Sequence, residues 1–192
     1  MIRPGLLAAL ALLLAGSTNT TAETAVFAGG CFWCMEADFE ELEGVSEVIS
    51  GFTGGKTENP TYEGDHTGHY ESIMVNYDPQ LVSYEILLDY FWLNIDPFDK
   101  YGQFCDKGES YLSAIFVASA EERRMAEASR QKVVEQFPEK TVITPILERS
   151  TFYPIKGDEE HHQDYYKKSP FEYKYYRWRC GRDKRLIDIW GW

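Results

Sequence analysis

Residues 25–44 read AVFAGGCFWCMEADFEELEG, and this stretch decides how the fold begins. The apolar run 25–28 predicts a buried strand that stops at Gly29 and Gly30. Apolar side chains then recur at helical spacing before Gly44, at Phe32, Met35, Phe39 and Leu42. That spacing predicts a helix that ends at the glycine. Cys31 therefore lies in the first turn of a helix, directly after a strand.

The rest of the chain alternates between the same two periodicities. Strands are predicted at 45–51, 70–77, 112–117 and 142–147. Helices are predicted from Ser83 to residue 93 and from the capping box of Ser119 and Glu122 to residue 137, with a short one at 158–166. The order β-α-β-β-α-β-α-β favours an α/β (α+β) fold, a two-layer sandwich with a mixed β-sheet and a ferredoxin-like core.

Composition limits the class of protein. Hydrophobic residues make up 44% of the 192 residues, which is enough for a sizeable core and excludes wholesale disorder. The formal charge of −12 argues against a nucleic-acid partner. No linker or change of composition follows residue 23, so residues 23–192 are predicted to form one domain with an aromatic and basic tail from about 167.

Residues 1–22 have the features of a secretory signal peptide that is removed. Arg3 gives a positive start, residues 6–15 are uninterruptedly apolar, and a small polar stretch ends at Ala22. The apolar run is shorter than the roughly 20 residues that span a bilayer, so no stable membrane anchor is expected. An uncleaved interfacial anchor is the alternative. We expect an exported protein, periplasmic or secreted, in an oxidising compartment.

Cys31 has the setting of a reactive thiol. A helix start favours an anion, so its thiol pKa is expected to be lowered. The alternative is a small buried hydrophobic residue. Cys34, three residues on, gives the spacing of a redox dithiol. Neither cysteine has a second ligand pair at zinc-finger spacing, so no metal site is expected.

Glu71 is the second candidate. It shares a face of its predicted strand with Ile73, Val75 and Tyr77, so its carboxyl is expected to point into the core. Burial without a cation raises a carboxyl pKa, and a neutral carboxylic acid at pH 7 is equipped for general-acid catalysis. The alternative is a glutamate at a strand end that reaches solvent.

Several loop and tail residues are weaker candidates. Tyr62, Asp106 and Tyr111 lie in predicted loops, where polar groups more often serve a site than a core. Cys180 stands among cations, which stabilise a thiolate, and Gly181 gives its backbone freedom. A solvated basic tail with an incidental cysteine is the alternative.

Seven segments resemble, in the same order, the A-type peptide methionine sulfoxide reductases. They are GCFWCME at 30–36, GFTGG at 51–55, NPTY at 59–62, GHYE at 68–71, DP at 96–97, QFCDKG at 103–108 and YLSAI at 111–115. The resemblance runs from about residue 25 to about 166, and it implies the same two-layer fold.

The resemblance also implies a set of roles. Cys31 would be the nucleophile, Phe32 and Trp33 would cradle the substrate methyl group, and Glu71 would protonate the sulfoxide oxygen. Tyr62 and Tyr111 would hydrogen-bond that oxygen, while Asp106 would hold the polar network. The reaction would reduce methionine S-sulfoxide, free or in oxidised proteins, through a cysteine sulfenic acid. A second cysteine would resolve this acid, and a thioredoxin-like dithiol would recycle the enzyme without a bound cofactor.

The resolving cysteine is open among three residues. Cys180 is favoured for its tail position and cationic setting, Cys34 is the second candidate, and Cys105 is expected to be a buried wall residue. The competing functions are a general CxxC thiol–disulfide oxidoreductase of the exported compartment and a secreted binding module. We expect the chain to act as a monomer.

Overall fold

The structure is a computed structural model that describes residues 22–191. The predicted signal peptide therefore lies, apart from Ala22, outside the described residues. Within residues 22–191 no helix combines the length and the apolar character needed to cross a membrane.

Eight strands and six α-helices form the described chain. The strands are β1 (Glu23–Gly29), β2 (Val45–Thr53), β3 (Tyr70–Tyr77), β4 (Gly102–Gln103), β5 (Asp106–Lys107), β6 (Ser113–Val117), β7 (Ile146–Glu148) and β8 (Tyr153–Pro154). The helices are α1 (Phe32–Glu40), α2 (Tyr84–Leu93), α3 (Ala120–Gln136), α4 (Tyr165–Lys168), α5 (Pro170–Cys180) and α6 (Arg182–Trp190). Two 3₁₀ turns are added at Glu109–Tyr111 and Gly157–His162.

The main sheet has six strands in the order β7-β6-β1-β3-β2-β8. β6 and β7 pair in parallel, while β1 pairs antiparallel with both β3 and β6. The inner four strands β6-β1-β3-β2 have the order and directions of a ferredoxin-like sheet. The predicted α/β class and mixed sheet are confirmed.

One face of this sheet carries the main core. Apolar side chains of α1, α2 and α3 pack on that face in a single cluster with inward-facing residues of β1, β2, β3 and β6. A much smaller cluster lies on the other face, around Val26, Ala28 and Phe116. The three helices therefore form one layer against the sheet, as the alternating element order predicts.

The predicted helix starts are confirmed at α2 and α3. Ser83 accepts a hydrogen bond from the Ile86 amide at 3.3 Å, and Ser119 accepts one from the Glu122 amide at 3.1 Å. The predicted strand 142–147 is reduced to β7, because its first residues are not paired in a sheet. The predicted helix 158–166 is divided into a 3₁₀ turn and the short α4.

The chain after residue 167 is folded, which the sequence prediction of a tail missed. Pro170 begins α5, and Gly181, with a φ of +70°, ends it and allows α6 to begin. On α6 the side chains of Arg182, Leu186 and Ile189 are buried. This spacing places the three side chains on one face of the helix. Because the first of them is an arginine, a search for regularly spaced apolar residues misses the pattern.

Arg182 joins α6 to the first strand-helix unit. Its side chain is 1% exposed and donates hydrogen bonds to Asp38 at 3.2 Å and to the Asn94 carbonyl at 2.6 Å. The guanidinium also stacks 4.5 Å from the ring centroid of Phe104. A buried cation with these partners stabilises the docked position of α6.

We expect Arg182→Met to lower the free energy of unfolding by about 3 kcal/mol, because Asp38 and the Asn94 carbonyl lose a buried partner. Urea unfolding with all disulfides intact measures the change. The control is Lys184→Met, which removes an exposed cation from the same helix. Equal midpoints for the two variants would show that α6 is not anchored through Arg182.

Candidate active site

Cys31 lies at the junction of β1 and α1. Gly30 turns the chain there with a φ of +83°, and a Cβ on it would lie 2.5 Å from the Cβ of Gln103. Only glycine combines this backbone conformation with so close an approach. The Cys31 carbonyl accepts the first α1 hydrogen bonds, from the amides of Cys34 and Met35. The residue is 6% exposed, so the thiol lies at the bottom of the site.

The thiols of Cys31 and Cys34 are both free and buried. Burial, and then Cys34, raises the pKa of Cys31 well above its usual value. The neighbouring Cys31 thiol lowers the pKa of the Cys34 thiol. The expectation of a lowered Cys31 pKa is thus wrong for this state. Its sulfur makes no capping bond to the α1 amides, so burial outweighs the helix dipole.

Glu71 lies close to Cys31 in space, although the two residues are far apart in the sequence. Its side chain is 2% exposed, and its Oε2 accepts a hydrogen bond from the Phe32 amide at 3.1 Å. Burial raises the pKa of Glu71 to about 8, and the Phe32 amide only partly opposes this. The carboxyl is therefore mostly neutral at pH 7, as the strand pattern predicts, and it contacts the amide that follows Cys31.

Two tyrosine hydroxyls border the same space. Tyr62 and Tyr111 are partly buried, and burial followed by the charge of Glu71 raises the pKa of each. Both hydroxyls therefore stay protonated and serve as hydrogen-bond donors. The Tyr111 hydroxyl also partly opposes the rise in the pKa of Glu71. The structure brings these two predicted residues together with Cys31 and Glu71.

Aromatic side chains line the rest of the site. Phe32 is fully buried and packs edge-on against Phe52, so it lies behind the wall of the site. Trp33 is partly exposed; it stacks on Tyr165 with a centroid separation of 4.0 Å and donates from its indole N–H to His162 Nδ1 at 3.2 Å. These contacts hold the Trp33 ring in place, so that it forms one side of the rim of the site. An apolar group with a polar oxygen fits between such a wall and the donors.

Comparisons with known proteins agree with this geometry. The family model described as peptide methionine sulfoxide reductase matches residues 23–191. The chain belongs to the peptide methionine sulfoxide reductase family. It is 47% identical over 190 residues to MsrA 2 of Caulobacter vibrioides, covering 96% of this chain and 95% of that one.

Solved reductase structures share the fold. Methionine sulfoxide reductase A of Corynebacterium diphtheriae is 32% identical, with a TM-score of 0.67 over 78% of this chain and 76% of that chain. Mxr1 from Saccharomyces cerevisiae in complex with Trx2 is 19% identical, with a TM-score of 0.53 over 75% and 84%. The second likeness is evidence of fold alone.

Asp106 and Tyr176 form a polar pair in this reductase. Asp106 was predicted to hold the polar network, and its Oδ2 accepts a hydrogen bond from the Tyr176 hydroxyl at 2.5 Å. Tyr176 also packs edge-on against Trp33, with ring centroids 5.6 Å apart. Sequence reasoning missed Tyr176 because it lies in a run of tyrosines and cations whose helix was not predicted.

The other two cysteines of the reductase are bonded to each other. Cys105 and Cys180 form a disulfide across 75 residues, with their Cα atoms 4.9 Å apart. Cys180, preferred as the resolving thiol, is therefore held in a bond to Cys105 in this state, and its role stays a prediction. Cys105, expected to be a buried wall residue, is exposed. Cys34 is a free thiol three residues from Cys31.

Proposed function

We propose that this chain reduces methionine S-sulfoxide, free or in proteins, to methionine, with Cys31 as the nucleophile and Glu71 as the acid. One observation carries the proposal: a buried carboxyl, mostly neutral at pH 7, accepts a hydrogen bond from the amide that follows Cys31. A sulfoxide sulfur becomes electrophilic when its oxygen is protonated. A thiol and a neutral acid in one pocket supply, at one pH, both the nucleophile that attacks the sulfur and the proton for the oxygen.

The surrounding side chains fit the two ends of such a substrate. The Tyr62 and Tyr111 hydroxyls would donate to the sulfoxide oxygen, and Glu71 would give it a proton. Trp33 and Phe32 would contact the methyl group. Oxygen transfer to sulfur then yields the methionine thioether and a sulfenic acid on Cys31.

Cys34 is the proposed resolving cysteine. The neighbouring Cys31 thiol lowers the pKa of Cys34, whereas burial raises the pKa of Cys31, so Cys34 is the better thiolate of the two. Attack of Cys34 on the sulfenic sulfur forms a Cys31–Cys34 disulfide and releases the oxygen as water. Cys180 would serve only after an external thiol had opened its bond to Cys105.

A disulfide formed in each cycle requires an external dithiol. We propose a thioredoxin-like donor, which supplies all the electrons of the cycle. The support is chemical, since exchange with a dithiol regenerates two thiols, and a yeast protein of this fold has been solved in complex with Trx2. We further propose that residues 1–22 act as a signal peptide that directs export to the periplasm or the medium. The thioredoxin-like donor must then act in that compartment.

Stereochemistry and substrate class test the whole proposal. We expect turnover of the S epimer and not of the R epimer of methionine sulfoxide in the presence of a dithiol. Reduction of insulin disulfides without sulfoxide turnover would instead support the CxxC oxidoreductase. Activity on both a free and a peptide-bound sulfoxide would establish the breadth of the substrate class.

Cys34→Ser tests the resolving step. After one sulfoxide turnover without reductant, we expect the wild type to lose both free thiols, Cys31 and Cys34. The variant should lose one thiol and accumulate a sulfenic acid that dimedone traps. Mass spectrometry and a thiol titration in denaturant give both readouts. The control is a double variant, Cys105→Ser with Cys180→Ser, which should resolve normally. A Cys31–Cys180 bond in Cys34→Ser would return the role to Cys180.

A further inference from the structure

The Trp33 ring is held by one short segment of the chain, residues 162–165. His162 accepts a hydrogen bond from the indole N–H at 3.2 Å, and Tyr165 stacks on the ring with a centroid separation of 4.0 Å. Between them lies Asp164, whose φ of +55° is a left-handed conformation that a residue other than glycine rarely adopts. Such a conformation persists only where the surrounding structure holds it. The position of the indole ring therefore depends on what anchors this segment.

The side chain of Gln163 binds the segment to the edge of β2. Its Oε1 accepts a hydrogen bond from the Ser50 amide at 2.8 Å, and its Nε2 donates to the Val48 carbonyl at 2.8 Å. β8 pairs with β2 at Gly51 and Phe52, and these two backbone groups lie beyond that pairing. A glutamine amide offers the same donor and acceptor as a strand backbone, so it satisfies both groups.

The carboxyl of Glu36 binds both this glutamine and the backbone that follows it. Glu36 is fully buried, and its Oε1 accepts hydrogen bonds from Gln163 Nε2 and from the Asp164 amide, the latter at 2.9 Å. Its Oε2 accepts a hydrogen bond from the Ser50 hydroxyl at 3.1 Å. Glu36 lies three residues after Trp33 in α1, so the two side chains are neighbours on the helix surface. One buried carboxyl thus joins α1 to β2 and to the residue of left-handed conformation.

We propose that Glu36 is a positioning residue, which holds the Trp33 ring in place by anchoring residues 162–165. It does not touch the substrate in this role. Removal of the carboxyl would take the acceptor from the Asp164 amide, and a partly buried backbone donor without a partner destabilises the turn. The segment should then shift, and the indole N–H should lose its acceptor. The inference rests on the proposed function, in which Trp33 contacts the methyl group of the sulfoxide.

The first test follows the indole N–H of Trp33 by NMR of isotope-labelled protein, with no sulfoxide present. The signal is assigned by its loss in Trp33→Phe. In Glu36→Leu we expect this signal to shift and its hydrogen exchange to become faster, because the bond to His162 is weakened. The internal control is Trp92, whose indole N–H donates to the Ser129 hydroxyl at 2.9 Å and should be unchanged.

Steady-state kinetics with free methionine sulfoxide and excess dithiol give a second readout. Glu36→Leu should raise KM roughly tenfold and leave kcat within about threefold of the wild-type value, because the methyl contact serves binding rather than proton transfer. The matched control is Glu41→Leu, the same exchange at an exposed glutamate directly after α1, which should change neither constant.

Glu36→Gln is the conservative variant, and it should keep KM and the Trp33 signal close to those of the wild type. Its amide oxygen can still accept from the segment, and the Ser50 hydroxyl can turn to accept from its N–H. Burial raises the pKa of Glu36 to about 7, and the neutral acid keeps an acceptor oxygen in the same way. The charge is therefore not required, whereas the oxygen is.

Each outcome decides the proposal. An unchanged Trp33 signal in a folded Glu36→Leu would overturn it, and so would equal changes at Trp33 and Trp92, which would indicate a general loss of structure. A shifted signal with an unchanged KM would overturn the role in substrate binding. If Glu36→Leu does not fold, Gln163→Met gives the same test, because it removes the bonds to β2 and keeps the side-chain volume.

The NMR readout separates this inference from the proposed function, since it needs no turnover. A Trp33 signal that shifts as expected, in a protein whose wild type reduces no sulfoxide, would disprove the function and leave the anchoring of the ring standing. A Glu36→Gln variant that behaves like Glu36→Leu would overturn anchoring through an acceptor oxygen, whatever the substrate.

Discussion

Cys31→Ser should reduce sulfoxide turnover to the rate of the uncatalysed reaction. A serine hydroxyl is almost wholly protonated at neutral pH and is a weak nucleophile without a strong base. It also cannot carry a sulfenic acid or close a disulfide with Cys34, so both halves of the cycle are lost. The near-isosteric exchange at a residue that is 6% exposed should leave the fold intact.

The measurement is product methionine formed with excess dithiol, by chromatography. The control is the Cys105→Ser and Cys180→Ser double variant, which keeps the inner pair. We expect this control to retain turnover in the first cycle and Cys31→Ser to show none. Measurable turnover by Cys31→Ser, above a heat-inactivated sample, would contradict Cys31 as the nucleophile.

Glu71→Gln should lower the turnover rate by roughly 10²–10⁴-fold at pH 7, the usual contribution of one general acid. The amide still occupies the volume of the acid and accepts from the Phe32 amide, but it has no acidic proton to give. Because folding should be near normal, the loss should appear in the rate rather than in substrate affinity. Glu63→Gln, an exposed exchange in the loop after Tyr62, is the matched control.

The pH profile adds a second readout. Only the protonated form of Glu71 donates, and its pKa is raised to about 8. Wild-type turnover should therefore fall as the pH rises through about 8, and the Gln variant should lack this limb. Wild-type turnover that stays constant from pH 7 to pH 9 while Cys31 is ionised would remove Glu71 from proton transfer.

Local patterns were enough for the elements that build the inner site. The period of two in residues 70–77 gave both the strand and the burial of Glu71, since one face of a strand is set by alternate residues. The glycine pair before Cys31 gave its position at a helix start. These features depend on neighbours along the chain, so a single sequence reveals them.

The features that were missed depend on residues far apart in sequence. The Cys105–Cys180 bond and the Asp106–Tyr176 hydrogen bond each join the loop before β6 to α5, across 75 and 70 residues. No local spacing encodes such a pairing. The raised pKa of Cys31 is a similar case, because burial in the folded chain decides it and the helix start alone suggests the reverse.

The arrangement of α5 and α6 has a consequence for biogenesis. The helices that close over the thiol pair leave the ribosome after it, and Arg182 meets Asp38 across 144 residues. Until they dock, the nascent chain presents Cys31 and Cys34 without their cover. Misjoined cysteines should therefore arise during synthesis and refolding, whereas the finished protein shields the inner pair and leaves Cys105 at the surface.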